Sequence, residues 1–222
     1  MNTLMTISGV IQAGGKSTRM GRNKAFLEIG GKRLIDRLVD GLRQIFPEII
    51  IVTNTPDMYD YLGVRVVPDL IPGKGSLGGI YTATAVATHP WAFVMACDMP
   101  FFNPRLIQYL ASLTEGWDAV VPFTDDWEPL YALYAKTCLP PMERLIYSGD
   151  LKISRFFSHV RVRRVNREEL APYDSEGLSL FNVNTPEEFA RAEEWWRHLP
   201  PTGQDPHPGS SIGPLRQPAR DP

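Results

Sequence analysis

The apolar run Ile7–Ile11 is followed at once by Gln12–Lys24, which reads QAGGKSTRMGRNK. A short apolar run ended by paired glycines reads as a buried strand stopping at a loop. Gly14 and Gly15 let a ligand come close to the backbone and present bare N–H groups. Arg19 and Lys24 add the positive charge that phosphate oxygens need. The stretch therefore offers a polyphosphate cradle at the end of a first strand. Gly15-Lys16-Ser17 looks like the end of a Walker A loop, but that loop needs its first glycine where Val10 stands. The dinucleotide fingerprint G-x-G-x-x-G is also missing from this loop.

The same order, an apolar run and then a polar stop, recurs downstream. Ile49–Val52 ends at Thr53-Asn54, Val64–Val67 at Pro68-Asp69, and Trp91–Ala96 at Cys97-Asp98. Between them, Lys32–Phe46 carries Leu34, Ile35, Leu38, Val39, Leu42 and Ile45 at helical spacing, and Pro47 stops it. Ser76–Thr88 predicts a helix of small residues. Further strands are expected at Asp118–Val121, Leu130–Tyr134, Val160–Val165 and Leu178–Phe181, with mixed helix over Pro140–Phe157. Asn103-Pro104 and Thr185-Pro186-Glu187-Glu188 read as helix starts. Alternation of this kind predicts a three-layer α/β/α, Rossmann-like domain with a mostly parallel sheet. Ligands of such sheets bind beyond the carboxyl ends of the strands. The Gly14 loop, Asn54, Asp69 and Asp98 all fall at such ends and describe one crevice.

The chain has 222 residues, enough for one well-buried domain, expected over 1–199. After Leu199 come seven of its twenty prolines and few large apolar side chains, so 200–222 reads as a disordered tail. The formal charge is −2, and the one basic stretch, Arg161–Arg164, alternates like a strand edge. A nucleic-acid partner is not expected. Cys97 and Cys138 form neither a metal spacing nor a disulfide framework. Free thiols, no secretory signal and no apolar run of spanning length lead us to expect a cytoplasmic protein without membrane contact.

Asp98 ends an apolar strand in VMACDMP, where an unpaired carboxylate is costly. A Mg²⁺ ion bridging it to phosphate oxygens would offset that cost. Cys97 beside it reads as a small buried filler. Ile71–Gly79, IPGKGSLGG, is a second glycine-rich loop that suits close approach of a flat base, with Gly79 near the nucleoside. In FNVNTPEE, Asn182 and Asn184 are expected to alternate on a strand end and point the same way. Asp125, Asp126 and Trp127 are expected to be solvent-exposed and carry no chemistry.

Together QAGGKSTRMGRNK, GSLGG, CDMP and NVNTPEE resemble the molybdenum cofactor guanylyltransferases, in order and spacing, from about Ile7 to about Trp196. Gln12 departs from the family's leucine, and Ser76 from its proline. Glu128-Pro129-Leu130-Tyr131 resembles a further family segment, whose preceding loop would face the acceptor. The resemblance implies a Mg²⁺-dependent transfer of GMP from GTP to molybdopterin, releasing pyrophosphate. Molybdoenzymes or other cofactor-biosynthesis proteins are its implied partners. It implies a nucleotide site of Gln12, Ala13, Gly14, Gly15, Lys24, Asn54, Asp69, Gly79 and Asp98. Arg19, Lys24 and Asp98 would be catalytic, Asp98 would hold the metal, and Asn182 and Asn184 would line the acceptor side. Related enzymes that use CTP generally have alanine where Gly14 stands, so Gly14 favours guanine. A cytidylyltransferase, a sugar-phosphate nucleotidylyltransferase and a non-catalytic nucleotide-binding partner are the alternatives.

Overall fold

The structure is a computed structural model and describes residues 3–14 and 23–199. Arg19, Gly15 and the proline-rich tail lie outside the described residues.

Seven strands form the main sheet: β1 (Ile7–Gln12), β4 (Glu48–Val52), β5 (Arg65–Val67), β6 (Trp91–Ala96), β7 (Ala119–Phe123), β8 (Tyr131–Ala135) and β9 (Val162–Asn166). Their order is β5-β4-β1-β6-β8-β7-β9. Only β8 pairs antiparallel with both neighbours, and the others run one way. A small hairpin, β2 (Glu28–Ile29) with β3 (Lys32–Arg33), stands apart. The mostly parallel α/β sheet is as expected.

Side chains that alternate along the strands build a core on each face. On one face Ile7 and Ile11 of β1 join Ile35, Leu38 and Leu42 of α1 (Leu34–Arg43) and Leu106 and Leu110 of α3 (Pro104–Ser112). On the other, Val10 joins Leu77, Ile80 and Ala83 of α2 (Gly75–Val86), Met142 and Ile146 of α4 (Leu139–Ser148), and Phe156 of α5 (Ile153–Phe157). A short α6 (Arg167–Leu170) follows β9. These clusters make the three layers.

The helix starts behave as the side-chain chemistry requires. Asn103 accepts a hydrogen bond from Leu106 N at 3.0 Å, with Pro104 at the first helical position. Thr185 and Glu188 form a reciprocal capping box at α7 (Pro186–His198). One expected strand is absent. Leu178–Leu180 is a single 3₁₀ turn, because the buried Asp174 carboxylate accepts the amides of Leu178 and Ser179, at 3.1 and 3.0 Å, that a ladder would use. The expected helix from Lys32 begins two residues later, since Lys32 and Arg33 are spent on the hairpin.

A third, smaller cluster joins distant segments: Ile29, Leu34, Phe101, Phe181, Val183 and Trp195 are all buried in it. Gly30 and Gly31 turn the hairpin with φ of +60° and +74°. A Cβ on Gly30 would land on the Trp196 indole nitrogen, whereas one on Gly31 meets nothing within 4 Å among the described residues. Gly31→Ala should cost only the left-handed backbone term, about 1–2 kcal/mol. Gly30→Ala should add an overpacking term of about 1–3 kcal/mol. Urea unfolding of both variants measures the gap, and equal losses would show that the Trp196 ring yields freely.

Candidate active site

The sheet itself selects the place. From β1 the chain crosses by α1 to β4 on one side, and from β5 it returns by α2 to β6 on the other. The crossovers therefore part at the carboxyl end of β1, which opens a crevice there. The ladder continues past the strand ends and fixes that rim. Ala13 N donates to Val52 O at 2.9 Å, Cys97 N to Gln12 O at 3.0 Å, and the Thr53 hydroxyl to Ala13 O at 3.0 Å.

On the β4–β5 side, Asn54 and Asp69 bind each other twice. Asn54 Nδ2 donates to Asp69 Oδ2 at 3.0 Å, and Asp69 N donates to Asn54 Oδ1 at 3.2 Å. A Cβ on Gly14 would meet nothing nearer than Asp69 Oδ2 at 4.0 Å. Among the described residues, the space that Gly14 leaves therefore opens on the Asp69 carboxylate.

On the β6 side, three segments far apart in sequence converge. Lys24 Nζ donates to Asp98 Oδ2 at 3.2 Å and to Asn184 Oδ1 at 2.7 Å. The side chains of Lys24 and Asp98 are 16% and 18% exposed, so the pair is largely desolvated yet still reachable. Asn23 sets the lysine's position. Its Oδ1 accepts from Ala25 N at 3.1 Å, and its Nδ2 donates to the Tyr59 hydroxyl at 3.1 Å. Asn23 and Tyr59 are the supports that sequence reasoning missed; an asparagine just before the KAF turn was the available signal. Val183 N donates to Asp98 O at 2.9 Å and brings the NVN segment alongside.

Asn182 and Asn184 do not sit on a strand. Asn184 is exposed and reaches Lys24, while Asn182 is half-buried and donates to Leu180 O at 3.3 Å. Trp127 is likewise not a solvent-exposed side chain. It is half-buried, with ring contacts to Phe157 at 4.6 Å and Phe123 at 5.3 Å between centroids. Asp125 and Asp126 are exposed as expected.

Gly79 is closely approached by a side chain of this chain. A Cβ there would lie 2.6 Å from Gln12 Oε1 and 2.8 Å from Nε2. The flat group that approaches this glycine is the Gln12 carboxamide. Gln12 Nε2 is buried and lacks a hydrogen-bond partner among the described residues. Such a donor costs about 1–3 kcal/mol while unpaired.

A cleft of about 480 Å³ lies at the start of α2, lined by Lys74, Ser76, Trp127, Pro129 and Lys152 among others. Among the described residues no three His, Cys, Asp or Glu side chains cluster as a metal cage. Asp98, with the amide oxygen of Asn184 close to it through Lys24, supplies hard oxygen donors. That set fits Mg²⁺, which is held by one or two carboxylates together with substrate phosphates and water. No helix among the described residues is long and apolar enough to cross a membrane.

An open α/β sheet with a lysine, an aspartate and a glycine-rich loop at its carboxyl rim is the arrangement of a nucleotidyltransferase. Residues 9–165 match the family described as the MobA-like NTP transferase domain. The chain is 40% identical over 190 residues to the probable molybdenum cofactor guanylyltransferase of Pelotomaculum thermopropionicum, covering 85% of this chain and 93% of that one. It is 38% identical over 192 residues to the molybdenum cofactor guanylyltransferase of Desulfosudis oleivorans, covering 84% and 94%. The crystal structure of molybdopterin-guanine dinucleotide biosynthesis protein A from Archaeoglobus fulgidus superposes with a TM-score of 0.76 at 30% identity, over 86% of this chain and 100% of that one. The protein belongs to the MobA-like NTP transferase family.

Cys97 lies beside this site and is half-buried, whereas Cys138 is buried. Burial, then the Asp98 carboxylate, pushes the Cys97 thiol up to about 12, with Lys24 pulling the other way. Burial first and then Asp118 hold Cys138 at about 12 too. A raised thiol pKa keeps the neutral form below that pH, so the thiolate at pH 8 should be about a thousandfold scarcer than for a free cysteine. Native protein should therefore label slowly with a disulfide reagent at pH 8 and label fully in urea. Rapid reaction of the native form would show that the thiols are accessible and ionised.

Proposed function

We propose that the protein transfers GMP from GTP to molybdopterin, giving the guanine dinucleotide form of the cofactor and pyrophosphate. The observation that carries this reading is the convergence of Lys24, Asp98 and Asn184 at the rim of the sheet. The names of the relatives supply the donor and the acceptor.

In the reaction an oxygen of the acceptor's phosphate attacks the α-phosphorus of GTP in line. The new bond is from that oxygen to the α-phosphorus. The bond from the α-phosphorus to the bridging oxygen breaks, and its electron pair leaves with pyrophosphate. The nucleophile is already an anion, so no general base is required. The chain's contribution is positioning and charge neutralisation. Gly14 and the N–H groups of the loop hold the triphosphate. Lys24 offsets charge at the α-phosphate, and Arg19 offsets charge on the leaving β/γ oxygens. Asp98 would hold Mg²⁺, which supplies further neutralisation of the phosphates when bound. Asn54, Asp69 and Gly14 surround the nucleoside.

The acceptor takes the cleft at the start of α2. Trp127 lines one wall of it, and Lys74 and Lys152 offer charge for the acceptor's phosphate. Asn182 and Asn184 complete the Asp98 side, and Asn184 keeps Lys24 directed at the reacting atoms.

Lys24→Ala should lower kcat by about 30- to 150-fold, the equivalent of ~2–3 kcal/mol for a charge-assisted contact made in the transition state. A change in KM alone would make Lys24 a ground-state binding residue. Asp98→Asn keeps the shape and should lose most turnover across a Mg²⁺ titration while the melting temperature holds. Mass spectrometry of the product formed from GTP and molybdopterin tests donor, acceptor and reaction together. A product carrying CMP or a sugar phosphate, or no pyrophosphate at all, would overturn the assignment.

A further inference from the structure

Gln12 ends β1, the strand at which the crossovers part. Its strand neighbours fix its side: Val10 faces the α2 core and Ile11 the α1 core, so the Gln12 side chain lies on the α2 face. There it fills the slot left by the missing side chain of Gly79. Its backbone carbonyl is held by Cys97 N, next to Asp98. Packing and backbone thus keep the carboxamide against Gly79 at the carboxyl end of β1, the strand that lies between β4 and β6.

The family that the chain resembles has leucine at this position. Leucine would fill the slot with hydrocarbon. Glutamine fills it with a donor, and that donor, Nε2, is buried without a partner among the described residues. A buried donor held in a substrate crevice is satisfied when an acceptor arrives.

We propose that the Gln12 carboxamide reads the nucleobase, donating from Nε2 to the 6-oxo group of guanine. This rests on the reading of the protein as a GTP-using transferase. A 6-amino purine would turn a donor toward this donor and leave both unpaired. A 6-oxo purine satisfies it. Gly79 acts through Gln12: it keeps the amide flat against α2.

The test is competition binding with the full chain and Mg²⁺, without acceptor, against a fluorescent guanine nucleotide. The competitors are GTP, ITP and 2-aminopurine riboside triphosphate. GTP and ITP carry the 6-oxo group, and the third lacks it. The unaltered protein should bind the first two about 10- to 100-fold more tightly than the third. Gln12→Leu, which restores the family's residue, should bind all three within about threefold of one another. Gly79→Ala, which displaces the amide, should lose the same preference. A Gln12→Leu protein that keeps the full 6-oxo preference, or a uniform loss across all three competitors, would overturn the proposal and leave Gln12 a packing residue. An unaltered protein that binds none of the triphosphates would overturn the transferase reading, and this inference with it.

Discussion

Lys24, Asp98 and Asn184 meet only because the hydrocarbon beneath them is shared. Ile29 lies a few residues beyond the lysine, Phe101 just beyond the aspartate, and Phe181 and Val183 just before Asn184; all are buried in one cluster with Trp195 of α7. The rings interlock: Phe181 meets Trp195 edge-on at 4.9 Å, and Phe101 lies 6.0 Å from Trp195. Burial is non-directional, so it brings the segments together without setting atoms. The hydrogen bonds above the cluster set them. Val183 N on Asp98 O aligns two of the segments, and Asn23 with Tyr59 aims the third. Without the aromatic cluster the ammonium, carboxylate and amide would belong to separate loops.

The rim is divided by charge. On the β4–β5 side the polar groups answer one another, Asn54 with Asp69, and the Asp69 carboxylate faces the Gly14 backbone. On the β6 side the lysine and the carboxylate are already paired before any phosphate enters. A cation and an anion held together in a partly desolvated place need little rearrangement to serve a polyanion and its counter-ion, which is preorganisation in the electrostatic sense. Between the two sides stands Gln12, the one rim side chain with an unmet donor among the described residues.

Much of this could be read from residue order. Apolar runs ending at Gln12, Asn54, Asp69 and Asp98 located the strands and the crevice, because a parallel strand buried on both faces must be apolar and its carboxyl end need not be. Asn103 and Thr185 were legible as caps because their side chains act on amides only two or three residues away. Long-range effects were the ones that escaped. Leu178–Phe181 has strand composition, yet Asp174 takes its amides, and no local pattern reveals that. Trp127 follows two acidic residues and reads as exposed, but Phe123 and Phe157 enclose its ring. The hairpin was signalled by Gly30-Gly31 and still missed, since two-residue strands carry almost no periodicity. Gly79 reads as a place where a nucleobase could approach; its contact with a side chain from another strand, Gln12, had no local signal.

The reversed strand β8 has a consequence for how such a protein can diverge. Because β8 alone runs against the others, the connection from β7 arrives at the rim and turns back without a helical crossover. The segment 124–130 therefore forms a parapet at that rim, tied by Glu128 N to Pro122 O, by Thr124 to Glu128 and by the Trp127 ring against Phe157. Lengthening such a loop costs little, since closure entropy grows only with the logarithm of its length. The β1–β6 half, in contrast, is locked into crossovers whose helices form the two cores. One stretch of chain can change in length while the other keeps its geometry, so the two parts of the sheet can diverge separately in this architecture.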